Sequence, residues 1–227
     1  SSYIDLSDGF AAYCEQRKAR GSNGLKQVRR KSRQLEREHG PVRCELHTDA
    51  REPLQKLLEW KTDQYHRTRV PNVFGYQWTV SLLKHVLRER EDAFCGMLSV
   101  LYAGDRPVAV DLGVRSYGVL HSWFPAYDRS LRKFSPGNVL LMEVAAAAPG
   151  AGIRQIHLGK GIEAYKTRFM TGEVRLAEGS VECGALRRSI RRGWYRAREW
   201  ARTSALRQSL PTRLVTKPLR EWIALRS

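Results

Sequence analysis

The stretch HLGKGIEAYKTRF, residues 157 to 169, holds a histidine, two glycines, a carboxylate, a phenol and several cations directly after the short apolar run IRQIHL. Gly159, Gly161 and Ala164 satisfy G-x-G-x-x-[GA] between an expected strand and an expected helix, the pattern of a dinucleotide loop. The same segment also suits acid-base chemistry. The elements around it decide between the two.

A dinucleotide fold needs repeated strand-helix-strand crossovers with helices of about a dozen residues. The helix after GKGIEA has room for only about nine residues before Thr171-Gly172. Glu182 has the spacing of a ribose-binding acid, but it falls inside an expected strand. Dinucleotide binding is therefore set aside.

A better phosphate site lies in WFPAYDRSLRKFSPGNVLL. Here a strand ends, the chain passes Arg129, Arg132 and Lys133, and a helix opens at Ser135-Pro136-Gly137-Asn138. Ser135 reads as the N-cap and Pro136 as the first-turn residue. A helix N-terminus offers unpaired N–H groups and about half a positive charge, which suits a pyrophosphate. An ordinary capped helix with basic neighbours is the competing reading.

The remaining elements follow from periodicity. Residues 42–48 read as a strand, and 52–67 and 77–90 as helices. Strands are expected at 93–102, 106–116 and 118–124, joined by turns at 104–105 and 116–118. A helix at 135–148, the strand IRQIHL, a short helix EAYKTRF and a last strand VRLAEGSVECG complete the order. In the basic segment SNGLKQVRRKSRQLEREHGP, Leu25, Val28, Ser32 and Leu35 recur at helical spacing, with Ser22 or Asn23 as cap. Leu186, Ile190, Trp194, Ala197 and Ala201 mark a second basic helix, and Leu219, Trp222 and Ile223 a third.

With 227 residues, 42% of them apolar, the chain can bury a core, so disorder is not the default. Its net charge of +17 is uneven. Residues 17–37 carry nine cations against one acid and residues 185–227 carry twelve against two, while 38–184 balance at nineteen against seventeen. Basic ends suit an anionic membrane surface, an acidic protein or nucleic acid, or simply a solvated helix face. The chain lacks zinc spacing, the aromatic RNP pattern and a clear helix-turn-helix, so nucleic acid is the least favoured partner. Four cysteines without C-x-x-C pairing point to reduced thiols, a cytoplasmic setting and no metal site. No run reaches the roughly 18 apolar residues of a membrane span.

The segments WKTDQYHRTRVPNVFG, LHSWFPAYDRSLRKFSPGNVLLMEV and IHLGKGIEAYKTRF resemble the acetyltransferase-like proteins of bacterial cellulose biosynthesis, the CelD/BcsL group of the GNAT superfamily. The runs Y-D-x4-K-F-S-P-G-x3-L and G-K-G-x-E-x-Y-K carry the resemblance over most of residues 22–184. The terminal Y-K motif is also similar to that of the Fem aminoacyl transferases. The resemblance implies a mixed, mostly antiparallel α/β sheet flanked by helices. Residues 1–40 would form an N-terminal segment with a basic helix, 41–184 the acyltransferase domain and 185–227 a basic helical tail. It implies acetyl-CoA or a longer acyl-CoA as donor and an amine or hydroxyl of a sugar, peptide or lipid as acceptor. Arg132, Lys133, Ser135, Gly137 and Asn138 would hold the CoA phosphates, and strand 118–124 the pantetheine arm. Tyr165 would protonate the thiolate, Glu163 would take the amine proton through a water, and Lys166 would stabilise the oxyanion or a substrate phosphate. Asp128, Gly159 and Gly161 would meet the substrate. Members of the group commonly carry acids where this chain has His157 and Ile162. His157 could serve as the base near neutral pH or be an ordinary core histidine. A noncatalytic scaffold of a polysaccharide-synthesis complex, or a nucleic-acid-binding protein, stands as the alternative, and the setting expected is cytoplasmic or peripheral to the inner membrane.

Overall fold

The structure is a computed structural model that describes residues 1–91, 93–161, 163–177, 189 and 192–196. Residues 1–176 form one compact unit and 177–227 a second. Of the second, residues 192–196 are helical, and Trp194 and Tyr195 pack edge to face at 5.2 Å. Leu186, Ile190, Ala197, Ala201 and the stripe after Pro218 lie outside the described residues.

The first unit is built on a sheet whose spine is the meander β4 (Phe94–Ala103), β5 (Arg106–Ser116) and β6 (Val119–Tyr127). Its turns have the backbone that tight hairpins need: Tyr117 and Gly118 both take positive φ, at 47° and 79°, as a two-residue primed turn requires. β2 (Val42–Glu45) flanks β4, and β3 (Arg90–Glu91) pairs with the start of β4. On the other side, β6 is followed by β7 (Gln155–His157), β1 (Ser2–Asp5) and β8 (Gly172–Glu173), giving the order β2-β4-β5-β6-β7-β1-β8. All pairs are antiparallel except β6 with β7.

Helices cover both faces. On one, α1 (Gly9–Ala19), α2 (Gly24–His39) and α5 (Pro136–Ala147) bury Tyr13, Val28, Leu35, Val139 and Leu140 against Leu101 and Ala109. On the other, α3 (Arg51–Thr68) and α4 (Gln77–Val86) bury Leu57 and Leu83 against Leu98, Val100, Val110 and Leu112. Two apolar layers separated by a sheet make a three-layer sandwich. α6 (Ala164–Phe169) closes the β7 end.

The parallel pair shapes the site. β6 and β7 match only over Val119–His121 and Gln155–His157. β7 then ends, while β6 runs on to Tyr127 with β5 as its only strand neighbour among the described residues. The ladder shift between Leu112 and Gly113 leaves Trp123 as an extra residue on β6, a bulge that bends the strand here.

Several elements differ from expectation. The loop after Tyr127 is a 3-10 helix at Arg129–Phe134. Ser135 precedes α5 in a left-handed conformation with φ 51° and makes no side-chain cap; its Oγ instead accepts from Lys31 Nζ at 2.5 Å. Of the expected last strand, 174–177 are irregular and 178–184 lie outside the described residues, while β8 lies just before it. β1 and α1, for which periodicity gave no expectation, place Ile4 and Leu6 in the core.

Candidate active site

Where β6 parts from β7, a cleft of about 830 Å³ crosses the sheet. α3 contributes Trp60, Lys61, Gln64 and Arg67; β5 contributes Asp111; β6 contributes Ser122, Trp123, Pro125, Ala126 and Tyr127. Gly137 and Asn138 of α5 and Gly159, Lys160, Glu163, Tyr165 and Lys166 complete the lining. Because α3 and α5 belong to opposite layers, residues from both faces of the sheet line the cleft.

The opening motif gathers at one end of it. Gly159 and Gly161 have φ of 75° and 119°, a backbone that side chains resist, and a Cβ on Gly161 would sit 2.6 Å from the Glu163 carboxylate. Glu163 is still extended, with φ −63° and ψ 141°, and the helix begins at Ala164. The carboxylate can therefore share the cleft with Tyr165, which regular helical geometry would deny it.

Lys166 is only 4% exposed. Its Nζ donates to Lys160 O at 2.8 Å and Gly159 O at 3.3 Å, and pairs with Glu163 Oε2 at 2.9 Å. The lysine thus ties the glycine loop to α6. Burial works to raise the Glu163 pKa, but the Lys166 hydrogen bond and charge leave it below the usual carboxylate range. Tyr165 is half-buried, and burial, reinforced by the charges of Glu163 and Asp111, pushes its phenol up to about 12. It stays protonated at neutral pH.

His157 does not join this group. Ile156 and Leu158 line the cleft, so strand alternation turns His157 to the other face. There it stacks on Tyr3 at 5.6 Å and meets His121 at 5.1 Å. Burial, the His121 charge and the chain's N-terminal charge hold its pKa down.

At the α5 end, Gly137 and Asn138 line the cleft, but Arg132, Lys133 and Ser135 do not. Lys133 pairs with Glu38 at 2.6 Å and lies over the Phe134 ring. Besides Lys61 and Lys166, the basic groups on the cleft wall are Arg129, Arg67 and Lys160. Asp128 lines the cleft, yet its oxygens accept from Ser130 N at 2.9 Å, from Ser130 Oγ and from Arg106, which fixes the turn out of β6.

Two residues on the cleft floor were not singled out from sequence. Lys61 is 7% exposed, on the stripe Pro53, Leu57, Lys61, and burial lowers its pKa while the Asp111 charge raises it. Asp111 lies in the apolar run PVAVDLGV of β5, and burial raises its carboxyl to about 6 against the pull of Ser122 and Lys61. A charged residue inside an otherwise apolar stripe or strand is the signal that would have found both.

A mixed, mostly antiparallel sheet flanked by helices and parting at one parallel pair is consistent with an acetyltransferase fold. Residues 22–167 match the model of the acetyltransferase (GNAT) domain, and the chain belongs to that family. Among curated proteins no match was found. Among solved structures, the chain is similar to the C-terminal DUF2156 domain of a protein from Agrobacterium fabrum described as a lysylphosphatidylglycerol synthetase. The TM-score is 0.50 and the identity 14%, over 74% of this chain and 55% of that one, and the likeness is one of fold. No helix among the described residues is long and apolar enough to cross a membrane.

Proposed function

We propose that the chain transfers an acyl group from an acyl-CoA to an acceptor nucleophile inside this cleft. The observation that carries the reading is the bare edge of β6 from Ser122 to Tyr127, which opens beside the start of α5 and leads to Tyr165. An extended pantetheine arm can add to such an edge as a strand would. Its phosphates would meet the α5 N-terminus, where the Gly137 N–H has no intrahelical acceptor, with Arg129 and Lys160 nearby. Tyr165 would then protonate the leaving thiolate. Lys166 would act by holding the 159–163 loop in place.

Acetyl-CoA and longer acyl-CoAs are the donors to test. At 100 times its dissociation constant, a ligand of the native state alone stabilises it by about 2.7 kcal/mol. Gly137→Val should weaken acetyl-CoA binding in calorimetry and leave the fold intact, since a Cβ there meets only the Tyr127 ring at 3.4 Å. Unchanged affinity contradicts the placement. A role at the cell surface, in polysaccharide synthesis, rests on the two CelD/BcsL-like runs alone. The exposed cations of α2, among them Lys26, Arg29, Arg30 and Arg37, are compatible with an anionic membrane or an acidic protein as partner. A noncatalytic scaffold has one observation in its favour, that Glu163 and Lys166 are spent on each other. The absence of any acyl-CoA binding would select it.

A further inference from the structure

With Glu163 bound to Lys166 and His157 turned out of the cleft, the groups expected to take a proton from the acceptor are engaged elsewhere. Asp111 is not. Its Oδ1 is buried and, among the described residues, has no hydrogen-bond partner. A buried carboxylate oxygen without a donor is costly unless a ligand brings one. From α3 Asp111 feels Lys61, and from β6 the Ser122 hydroxyl; both favour its charge. From α6 it is coupled to the Tyr165 phenol. Ser99, opposite it on β4, donates to Leu46 O, and the one ionisable residue of α5, Glu143, lines a separate groove.

We propose that Asp111 is the general base that takes the proton of the acceptor's attacking group. This rests on the acyl-transfer reading above. An acceptor amine, arriving as an ammonium ion, supplies the donor that Oδ1 lacks, and the ion pair offsets the carboxylate's burial. Asp111 takes one N–H proton, and the neutral amine attacks the thioester carbon to form the C–N bond. As the C–S bond breaks, Tyr165 gives its proton to the thiolate sulfur. The phenol is restored by the second N–H proton of the tetrahedral intermediate, and Asp111 releases its own proton to solvent. One amide and one thiol leave.

The test is thiol release from acetyl-CoA with methylamine, n-butylamine and glucosamine as probes and glucose as the hydroxyl control, from pH 5 to 9. Calorimetry with acetyl-CoA is run in parallel on wild type, Asp111→Asn and Asp111→Glu. Wild-type kcat/KM for an amine should fall below about pH 6. Asp111→Asn should lose at least about 100-fold at pH 7.5 and lack that acidic limb, while binding acetyl-CoA as wild type does. Asp111→Glu should keep the limb at reduced rate. An Asn variant as active as wild type, or with the same limb, overturns the assignment. Acetyl-CoA binding without release by any amine, or release with glucose alone, overturns the amine acceptor and leaves the donor reading standing. Absent acetyl-CoA binding, the donor reading fails and takes the base with it.

Discussion

Tyr165 and Asp111 are held in opposite protonation states at neutral pH by the same low-dielectric cleft. Tyr165→Phe should lower kcat by about 10²-fold or more with acetyl-CoA affinity unchanged, because a proton donor acts in the transition state. Steady-state kinetics with calorimetry decides it, and wild-type turnover contradicts the role. Asp111 carries a stability cost of known sign. Its carboxyl rises from 3.8 unfolded to about 6 folded, so the folded state is penalised as pH climbs through that window and unaffected below it. Asp111→Asn should therefore stabilise the protein by roughly 1–3 kcal/mol at pH 8 and by little at pH 4; equal urea midpoint shifts at both would refute this. Sequence reading found Tyr165, Glu163 and Lys166 together because one motif spells them. It could not place Asp111 or Lys61 beside them, since strand, helix and loop meet there only in three dimensions. His157 was legible in principle: with Ile156 and Leu158 facing in, a period of two sends it out.

At the level of elements, the main strands and helices of residues 42–169 followed from periodicity and turn chemistry with shifted ends, while β3 falls where the helix 77–90 was expected to end. The charged run 129–134 was read as a loop because six residues of 3-10 helix leave no apolar period. The side chains of Arg132 and Lys133 were thus misdirected relative to the cleft, and Arg129 lines it instead. The β7–α6 connection is the element most exposed to a single change. Gly161→Ala puts a methyl group at φ 119° against the Glu163 carboxylate, and should cost roughly 1–3 kcal/mol. Equilibrium denaturation that shows no loss would mean the loop relaxes without strain.

For the molecule as a whole, the N-terminal residues belong to the sheet: β1 lies between β7 and β8, and Ile4 is fully buried. A four-residue strand with no periodic context gives no sequence signal, so its position was not legible. Deleting residues 1–6 should abolish cooperative unfolding by circular dichroism; a variant that still melts sharply would show the sheet closing without β1. The central claim is that acyl-CoA lies along the bare edge of β6, and amide hydrogen exchange reads that edge directly. With acetyl-CoA bound, exchange should slow at 122–127 and at 137–139, while the central amides of β4 and β5, already paired, stay unchanged. Acetyl-CoA that binds while protecting other segments and leaving 122–127 as fast as before would contradict the account.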